Sequence, residues 1–475
     1  ESLQAAALRE VEEETGLTPA ELELHPLIPS DPAVPFDIDT HYIPENPRKD
    51  EPGHYHHDFR YVYTVKLSEV SAKAVKEEVC RWVSWQEFSG LPHFSAIADK
   101  IEALLEPNTR DFFRSLVGVQ ACNVAVVAVS HIIPSSESYI LSLHENFTLV
   151  GVIPKPTSLN KRSRRVLIEA GVPILDSFSR ASLAADPEAL VRLLAGYEKV
   201  CLVDIGGYFS PILAELKSKL GRRLCGVVED TENGHQKYAQ HDTGRAQVVS
   251  VARSPLKDFE DQLVGHSVAH ATETVLRQIN VLITYRTCGI IGYGKVGRGI
   301  AEYLRQRGIR PLVSELNAVR LVQASCDGAA ICSTDELLKK SDILFCATGT
   351  KALDLLKLRD LKRGAFLASV TSSDDEFDLT FVDSEYERQP LARHITRFSK
   401  RGHSFHLLND GNAINFLYAA AVDAYINLVQ GELIYSVSKL ATAGYKDSRE
   451  IHANATDDHE MIARRWLEYV MRARS

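Results

Sequence analysis

Three glycines, Gly292, Gly294 and Gly297, stand at G-x-G-x-x-G spacing inside CGIIGYGKVGRGIAEYLRQRG (288–308), with Lys295 and Val296 between the second and third. That spacing suits a phosphate cradle. The first glycine permits a tight turn, the second lets a pyrophosphate approach the backbone, and the third packs helix on strand. Free amides and the positive dipole end of the following helix then face the phosphates. A second strand, RPLVSE, ends in Glu315. A carboxylate there accepts the ribose 2′-hydroxyl of NAD and repels a 2′-phosphate, so NAD is expected over NADP.

A second chemistry-bearing group opens the chain. In ESLQAAALREVEEETGL (1–17), Glu10, Glu13 and Glu14 lie at i, i+3 and i+4, which puts three carboxylates on one helix face. Such oxygen ligands suit Mg²⁺ or Mn²⁺, although a solvated acidic helix has the same pattern. His54, His56 and His57 open a strand-like run, where surface or substrate-side histidines are commoner than metal ligands.

These groups need elements to position them. Gly16 is a natural C-cap for the first helix. From about residue 110 the pattern alternates buried strands (123–130, 148–155, 172–176, 199–207, 224–230) with helices (136–145, 158–170, 186–197). Continuous apolar strands between helices imply a parallel sheet covered on both faces, with ligands beyond its carboxyl ends. His131, Asp204 and Asp230 are the polar residues at those ends. A second α/β unit follows over about 266–414, and a helix over Ala413–Leu433 is expected to return the chain.

With 475 residues, 45% hydrophobic and 25% charged, the composition is that of a soluble protein of about three domains. A net charge of −9 without a long basic run argues against nucleic acid. The longest apolar run, Ala413–Val429, is interrupted by Asn415, Asp423 and Asn427, so no membrane span is expected. Eight scattered cysteines without C-x-x-C read as reduced thiols of a cytoplasmic protein. The chain begins at Glu1 inside a helix and is expected to be a fragment.

Glu1, Arg9-Glu10-Val11, Glu13-Glu14 and Gly16-Leu17 resemble the Nudix box, G-x5-E-x7-R-E-U-x-E-E-x-G-U. The resemblance implies a divalent-metal diphosphohydrolase, with Glu10, Glu13 and Glu14 as metal ligands and Arg9 orienting them. HYHHDFRYVYTVKL (54–67), EEVCRWVSWQEFSGLP (77–92) and a closing helix at Ser95–Leu105 fit it. The box's leading glycine and the strands before it are missing, so this copy is expected to be weak or inert.

Over roughly 120–430 the pieces resemble S-adenosylhomocysteine hydrolase: His131, VDIGGYFS (203–210), GVVEDTENGHQKY (226–238), KDFEDQLVG (257–265), GYGKVGRG (292–299), FCATGT (345–350) and LLNDGNAINF (407–416). That family uses bound NAD to oxidise a ribose 3′-hydroxyl and so activate the sugar. The resemblance implies His131 as acid/base, Lys257 and Asp261 beside the 3′-hydroxyl, and Asp230 where the family has an adenosine-binding Glu. It places Thr231, Gly292, Gly294, Lys295, Val296, Gly297, Glu315, Thr348, Gly349 and Asn415 against NAD. The departures are Ile205 for a catalytic Asp, Gln262 for Asn, His266 for Cys, Ser372 for His, Ala421-Val422-Asp423 for G-H-P, and no Lys/Tyr tail in 463–475.

The expected architecture is therefore α/β: a truncated Nudix α/β/α domain (1–106), then two doubly wound, Rossmann-like parallel-sheet domains. They are a substrate domain (110–265), an NAD-binding domain (266–414) and a C-terminal helical return (415–475). The expected function joins a Mg²⁺-dependent diphosphohydrolase to an NAD-dependent module acting on a nucleoside other than adenosylhomocysteine. Two alternatives stay open, a non-catalytic NAD-binding scaffold and an adenosylhomocysteinase. The expected partners are small nucleotides or nucleosides and further copies of the chain.

Overall fold

A computed structural model describes residues 2–24, 35, 37–45, 52–65, 88, 91, 94, 97–98, 109–118, 123–349, 353–370, 377, 382–418, 422–442 and 450–471. The chain forms two compact units, Glu1–Pro107 with Ala473–Ser475, and Asn108–Arg472. Most of the segment 77–92 and of the expected helix Ser95–Leu105, the Ser372 and Ala421 positions and the last four residues lie outside the described residues.

In the first unit, helix Leu3–Thr15 starts where the Ser2 hydroxyl accepts the Ala5 amide and stops at Gly16, whose φ of 75° is left-handed. The apolar and polar residues of 54–67 were expected to make one strand. They make two, β3 (His54–Arg60) and β4 (Tyr63–Val65). β3 pairs antiparallel with β2 (Asp37–Ile43), and β4 with β1 (Leu22–Leu24), so the break at Tyr61-Val62 separates strands with different partners.

The second unit holds two sheets. The first comprises β5 (Ala125–Ile132), β6 (Thr148–Leu159), β7 (Val200–Asp204), β8 (Leu224–Glu229) and β9 (Val248–Ser250), all parallel, in the order β6-β5-β7-β8-β9. β7 is buried at every position, which is why its sequence shows no alternation. Val126, Ala128 and Cys201 pack on one face with Phe112 and with Leu433 and Val437 of helix Ile426–Thr442. Val127, Val129 and Leu202 pack on the other with Leu190, Leu213 and Leu216. The segment 172–176, expected as a strand, contributes only a single bridge, Val152 to Ile174.

The second sheet runs β12 (Ala330–Ile331), β11 (Leu312–Ser314), β10 (Cys288–Ile291), β13 (Ile343–Cys346), β14 (Ala365–Ser369), β17 (His403–Leu408), β16 (Ile395–Lys400), β15 (Glu387–Ala392). The first six are parallel and the last two antiparallel. The parallel strands follow the 3-2-1-4-5-6 order of a Rossmann sheet, with its switch point between β10 and β13.

Helix Lys257–Arg277 carries the chain from one sheet towards the other and passes through position 265 without a break. It crosses helix Lys295–Gln306 at Gly265 and Gly299. A Cβ on Gly265 would lie 2.3 Å from the Val296 carbonyl oxygen, and one on Gly299 would lie 2.1 Å from that of Gln262. Only glycines allow this backbone contact, and it brings the start of one helix beside the start of the other. The helix expected over Ala413–Leu433 is instead broken. Short 3₁₀ turns occupy Ile414–Tyr418 and Asp423–Tyr425, and the long helix begins at Ile426. Asn415, one of the polar residues that interrupt the apolar run, is buried within the first turn, which packs on helix Lys257–Arg277.

Candidate functional site

The glycine turn sits at the carboxyl end of β10. Gly292 has φ 92°, and a Cβ there would lie 2.5 Å from the Ala347 carbonyl oxygen and 3.2 Å from Thr348 Cα. Thr348 and Gly349, just past β13, therefore border the turn. A Cβ on Gly297 would lie 2.2 Å from the Gly292 carbonyl oxygen. At Gly294 the picture changes, since a Cβ there would meet nothing closer than the Arg320 guanidinium at 3.8 Å. Gly294 is the N-cap of helix Lys295–Gln306 and has no side chain to cap it. The open face and the uncapped amides fit a pyrophosphate. Glu315 accepts the Tyr293 amide (2.6 Å) and the Asn317 amide (2.8 Å), which holds its carboxylate beside the turn. Val296 turns its carbonyl towards Gly265 in the helix crossing.

A charged cluster lies beside this turn. Lys257 is 6% exposed, and its Nζ donates to Asp230 Oδ1 (3.0 Å) and Glu260 Oε2 (2.6 Å) and stands 4.0 Å from Asp261 Oδ1. Lys295 reaches back to Asp258 (2.8 Å), Asp261 Oδ2 (3.7 Å) and the Ala252 carbonyl (3.0 Å). Burial alone would lower the Lys257 pKa, but Asp230, Glu260 and Asp261 outweigh it and hold it well above the ordinary value. Burial pushes Glu260 up to about 7 against the pull of Lys257, and it also raises Asp261. Lys257 is thus a fixed cation, and Glu260 is the member of the cluster that exchanges a proton near neutrality.

His131 ends β5. Its Nδ1 is hydrogen-bonded to the Ser158 hydroxyl, and its ring stacks on Phe416 with centroids 4.7 Å apart. Burial, then the Lys155 and Lys257 charges, hold its pKa well below the usual value, so it is a neutral imidazole. Asn415 is 3% exposed, and its Oδ1 has no hydrogen-bond partner among the described residues. The same is true of the buried Tyr139 hydroxyl, whose pKa is raised by burial and then by Asp230. Each is a buried polar atom that a polar ligand would satisfy.

Two expected site residues have other duties. Asp204 accepts the Tyr208 and Phe209 amides (2.9 and 3.0 Å) and the Tyr238 hydroxyl (2.6 Å), which commits it to the turn after β7. The Thr231 hydroxyl donates to Glu229 (2.7 Å) and accepts the Gly234 amide (3.1 Å), capping helix Glu232–Gln240. Glu229, not foreseen, is fully buried and takes the Gly206, Gly207 and Thr231 amides (3.0, 3.0 and 2.7 Å). Burial and the nearby Asp204 push it up to about 8. Glu260, Tyr139 and Phe416 were also missed. Glu260 carries the i, i+3 signal that Asp261 carries at i+4, whereas Tyr139 and Phe416 have no local signature.

In the other unit Glu10, Glu13 and Glu14 are exposed on one helix face, and Glu13 takes a hydrogen bond from Arg9 (3.0 Å). Their oxygen donors fit a hard divalent cation. Among the described residues, the acid and histidine atoms that converge within 4.8 Å belong to Asp39, His41 and Asp58. Arg60 neutralises part of that group, pairing with Asp37 at 2.9 Å and Asp39 at 3.1 Å.

Residues 265–421 match the family model described as S-adenosyl-L-homocysteine hydrolase, NAD binding domain, and residues 1–105 match that of the NUDIX domain. The chain is 25% identical over 353 residues to the adenosylhomocysteinase of Aeropyrum pernix, covering 73% of this chain and 84% of that protein. It is 26% identical over 308 residues to that of Saccharolobus solfataricus, covering 62% and 72%. Among solved structures, the pyruvate reductase of Chlamydomonas reinhardtii aligns at 12% identity over 70% of this chain and all of that chain, with a TM-score of 0.38. The chain thus joins a NUDIX domain to an adenosylhomocysteinase-like NAD-binding domain, and NAD is the cofactor that domain implies. Among the described residues no helix is long and apolar enough to cross a membrane.

Proposed function

We propose that residues 110–475 form an NAD-dependent enzyme acting on a nucleoside-like substrate other than adenosylhomocysteine, and that residues 1–106 form a Mg²⁺- or Mn²⁺-dependent diphosphohydrolase. In this reading residues 110–265 and 415–475 bind substrate and residues 266–414 bind NAD. Gly292, Gly294 and Gly297 would cradle the pyrophosphate, Glu315 the ribose diol, and Asn415 and the Thr348-Gly349 edge the remaining polar groups. Bound NAD supplies a hydride acceptor.

The observation that carries the reading is the buried Lys257, held between Asp230 and Glu260 while Lys295 of the glycine-turn helix reaches Asp261. A lysine that stays charged when buried is suited to hold a substrate oxygen by a charge-assisted hydrogen bond. It cannot accept a proton, so Glu260 or Asp261 takes the hydroxyl proton. The neutral His131 imidazole at the end of β5, held by Ser158, is the second group able to exchange a proton with substrate. Adenosylhomocysteine is disfavoured as substrate because Ile205 offers no carboxylate, and Asp204 beside it is spent on backbone amides.

The test is a single turnover. NAD-loaded protein mixed with candidate nucleosides should develop NADH absorbance, and Lys257→Met should abolish it while leaving NAD bound. Absence of reduction with every nucleoside would leave the scaffold reading, for which the engagement of Asp204 away from the site already speaks.

A further inference from the structure

One face of the β2–β3 ribbon gathers nitrogen and oxygen donors. The register sets His41 directly opposite His56 and Asp39 directly opposite Asp58. Side chains alternate along a strand, so these four project to the same side of the ribbon, with Arg60 at its end. His54 follows on that side, its ring centroid 5.2 Å from that of His56. His57 falls on the other side, where its Nδ1 is hydrogen-bonded to the Thr40 hydroxyl (2.8 Å).

The donor atoms of Asp39, His41 and Asp58 lie within 4.8 Å of one another. His41 Nδ1 stands 3.4 Å from Asp39 Oδ2 and 3.8 Å from Asp58 Oδ2. Both separations exceed the roughly 2.7–3.2 Å of an N–H···O hydrogen bond. They are closer to the edge of a tetrahedron around zinc, roughly 3.3 Å for ligands about 2.0–2.2 Å from the metal. The His41 and His56 ring centroids are 5.9 Å apart. Two imidazoles on one such ion have centroids about 5 Å apart, so a small turn of the His56 side chain adds a fourth donor.

Carboxylates directly opposite each other on a ribbon destabilise it. Arg60 eases this from one end, reaching Asp39 (3.1 Å) and Asp58 (3.8 Å) with one nitrogen while the other goes to Asp37 (2.9 Å). A dication between Asp39 and Asp58 removes the repulsion, and Arg60 then orients the ligating carboxylates from outside. Among the described residues β2 and β3 pair with no other strand, and none of their residues is buried. A two-stranded hairpin on its own is marginally stable in water, so this ribbon gains from a clip.

We propose that Asp39, His41, His56 and Asp58 hold a transition dication of the zinc class that fixes β2 to β3. Two imidazoles and two carboxylates select such an ion over Mg²⁺, which takes oxygen ligands. The Glu10, Glu13 and Glu14 face has the opposite preference, and the ribbon site stands whether or not that face supports hydrolysis.

The experiment strips the full chain with a chelator, holds it in excess Mg²⁺, dialyses it against Zn²⁺ and counts the bound zinc. A second sample takes Co²⁺ in place of Zn²⁺ to report the ligands. At least one zinc per chain should be retained, and the cobalt form should show a visible ligand-field band without thiolate charge transfer. His41→Gln, His56→Gln and Asp58→Asn should each weaken zinc binding by at least about tenfold. The His41 and Asp58 side chains are 44% and 43% exposed, so these changes leave the fold intact. His57→Gln on the other side of the ribbon and Glu13→Gln on the first helix should leave zinc binding unchanged. Failure to retain zinc in excess Mg²⁺ would overturn the site. So would zinc binding that His41→Gln and Asp58→Asn leave intact, or a thiolate band in the cobalt form.

Discussion

The Lys257 ammonium and the Glu260 carboxylate stand 2.6 Å apart with both side chains largely buried, and burial keeps the acid at about 7 in spite of that cation. Two signs follow. The lysine is charged at every pH at which the protein is handled, and the glutamate changes charge near neutrality. If Glu260 takes the substrate's hydroxyl proton, it must first be ionised. The single-turnover rate should therefore rise with pH through about 7 and level off above it. Glu260→Gln should remove this limb and lower the plateau by about 10²–10⁴-fold, the usual worth of a positioned base. A profile unchanged by Glu260→Gln would assign the base to Asp261.

Gly265 tests the crossing that joins the two helix starts. A valine there would drive its side chain into the Val296 carbonyl, 2.3 Å from the Cβ position. Overpacking of this kind costs about 1–3 kcal/mol. Because the strain falls between Lys257 and Lys295, NAD retention should drop along with thermal stability. A Gly265→Val protein that melts earlier but keeps NAD would separate the crossing from the cofactor site.

Glu229 sets a stability dependence on pH. Its folded pKa of about 8 lies above that of an ordinary glutamate, so the folded state holds this proton more tightly than the unfolded chain. Its contribution is full at acid pH and is lost as pH rises through about 8. Denaturant midpoints should fall between pH 5 and pH 8.5, and Glu229→Gln, which cannot ionise, should flatten that fall. A fall as steep in Glu229→Gln would place its origin elsewhere.

Glu315 decides between cofactors. Its replacement by Ala removes the carboxylate that opposes a 2′-phosphate and should narrow the preference for NAD over NADP by about tenfold. It also removes the acceptor for the Tyr293 and Asn317 amides, so NAD itself should bind somewhat more weakly. Equal binding of NAD and NADP by the unmutated protein would refute the assignment.

For the NUDIX domain in a form whose box is complete from its leading glycine, hydrolysis of a nucleoside diphosphate derivative should require Mg²⁺ or Mn²⁺, while the copy with the box as it stands here should be weak or inactive. Glu13→Gln should lower it by several orders of magnitude, since it removes one charged ligand and the partner of Arg9. Metal-independent hydrolysis, or an unaffected variant, would make the glutamate face structural only.

Local patterns in the sequence were enough to determine the periodic and the covalently short-ranged features. The uniformly apolar strands β5, β7 and β10 announced parallel sheets, because a strand buried on both faces has no polar side to show. The glycine spacing at 292–297 announced a phosphate turn, because the turn and helix start are built from consecutive residues. The i, i+4 pairing of Lys257 with Asp261 was legible for the same reason. Tertiary structure alone decided what depends on distant residues sharing a low-dielectric pocket. Asp230 joins Lys257 from 27 positions away, and Lys295 reaches Asp258 across the Gly265–Gly299 crossing. Asp204, a candidate by its place at a strand end, is instead absorbed by its own turn. His56 stands out in the sequence only as one of three neighbouring histidines, and no pattern there links it to Asp39, His41 or Asp58. Their meeting on one face follows from the register of β2 against β3, since directly opposite residues of an antiparallel pair project to the same side.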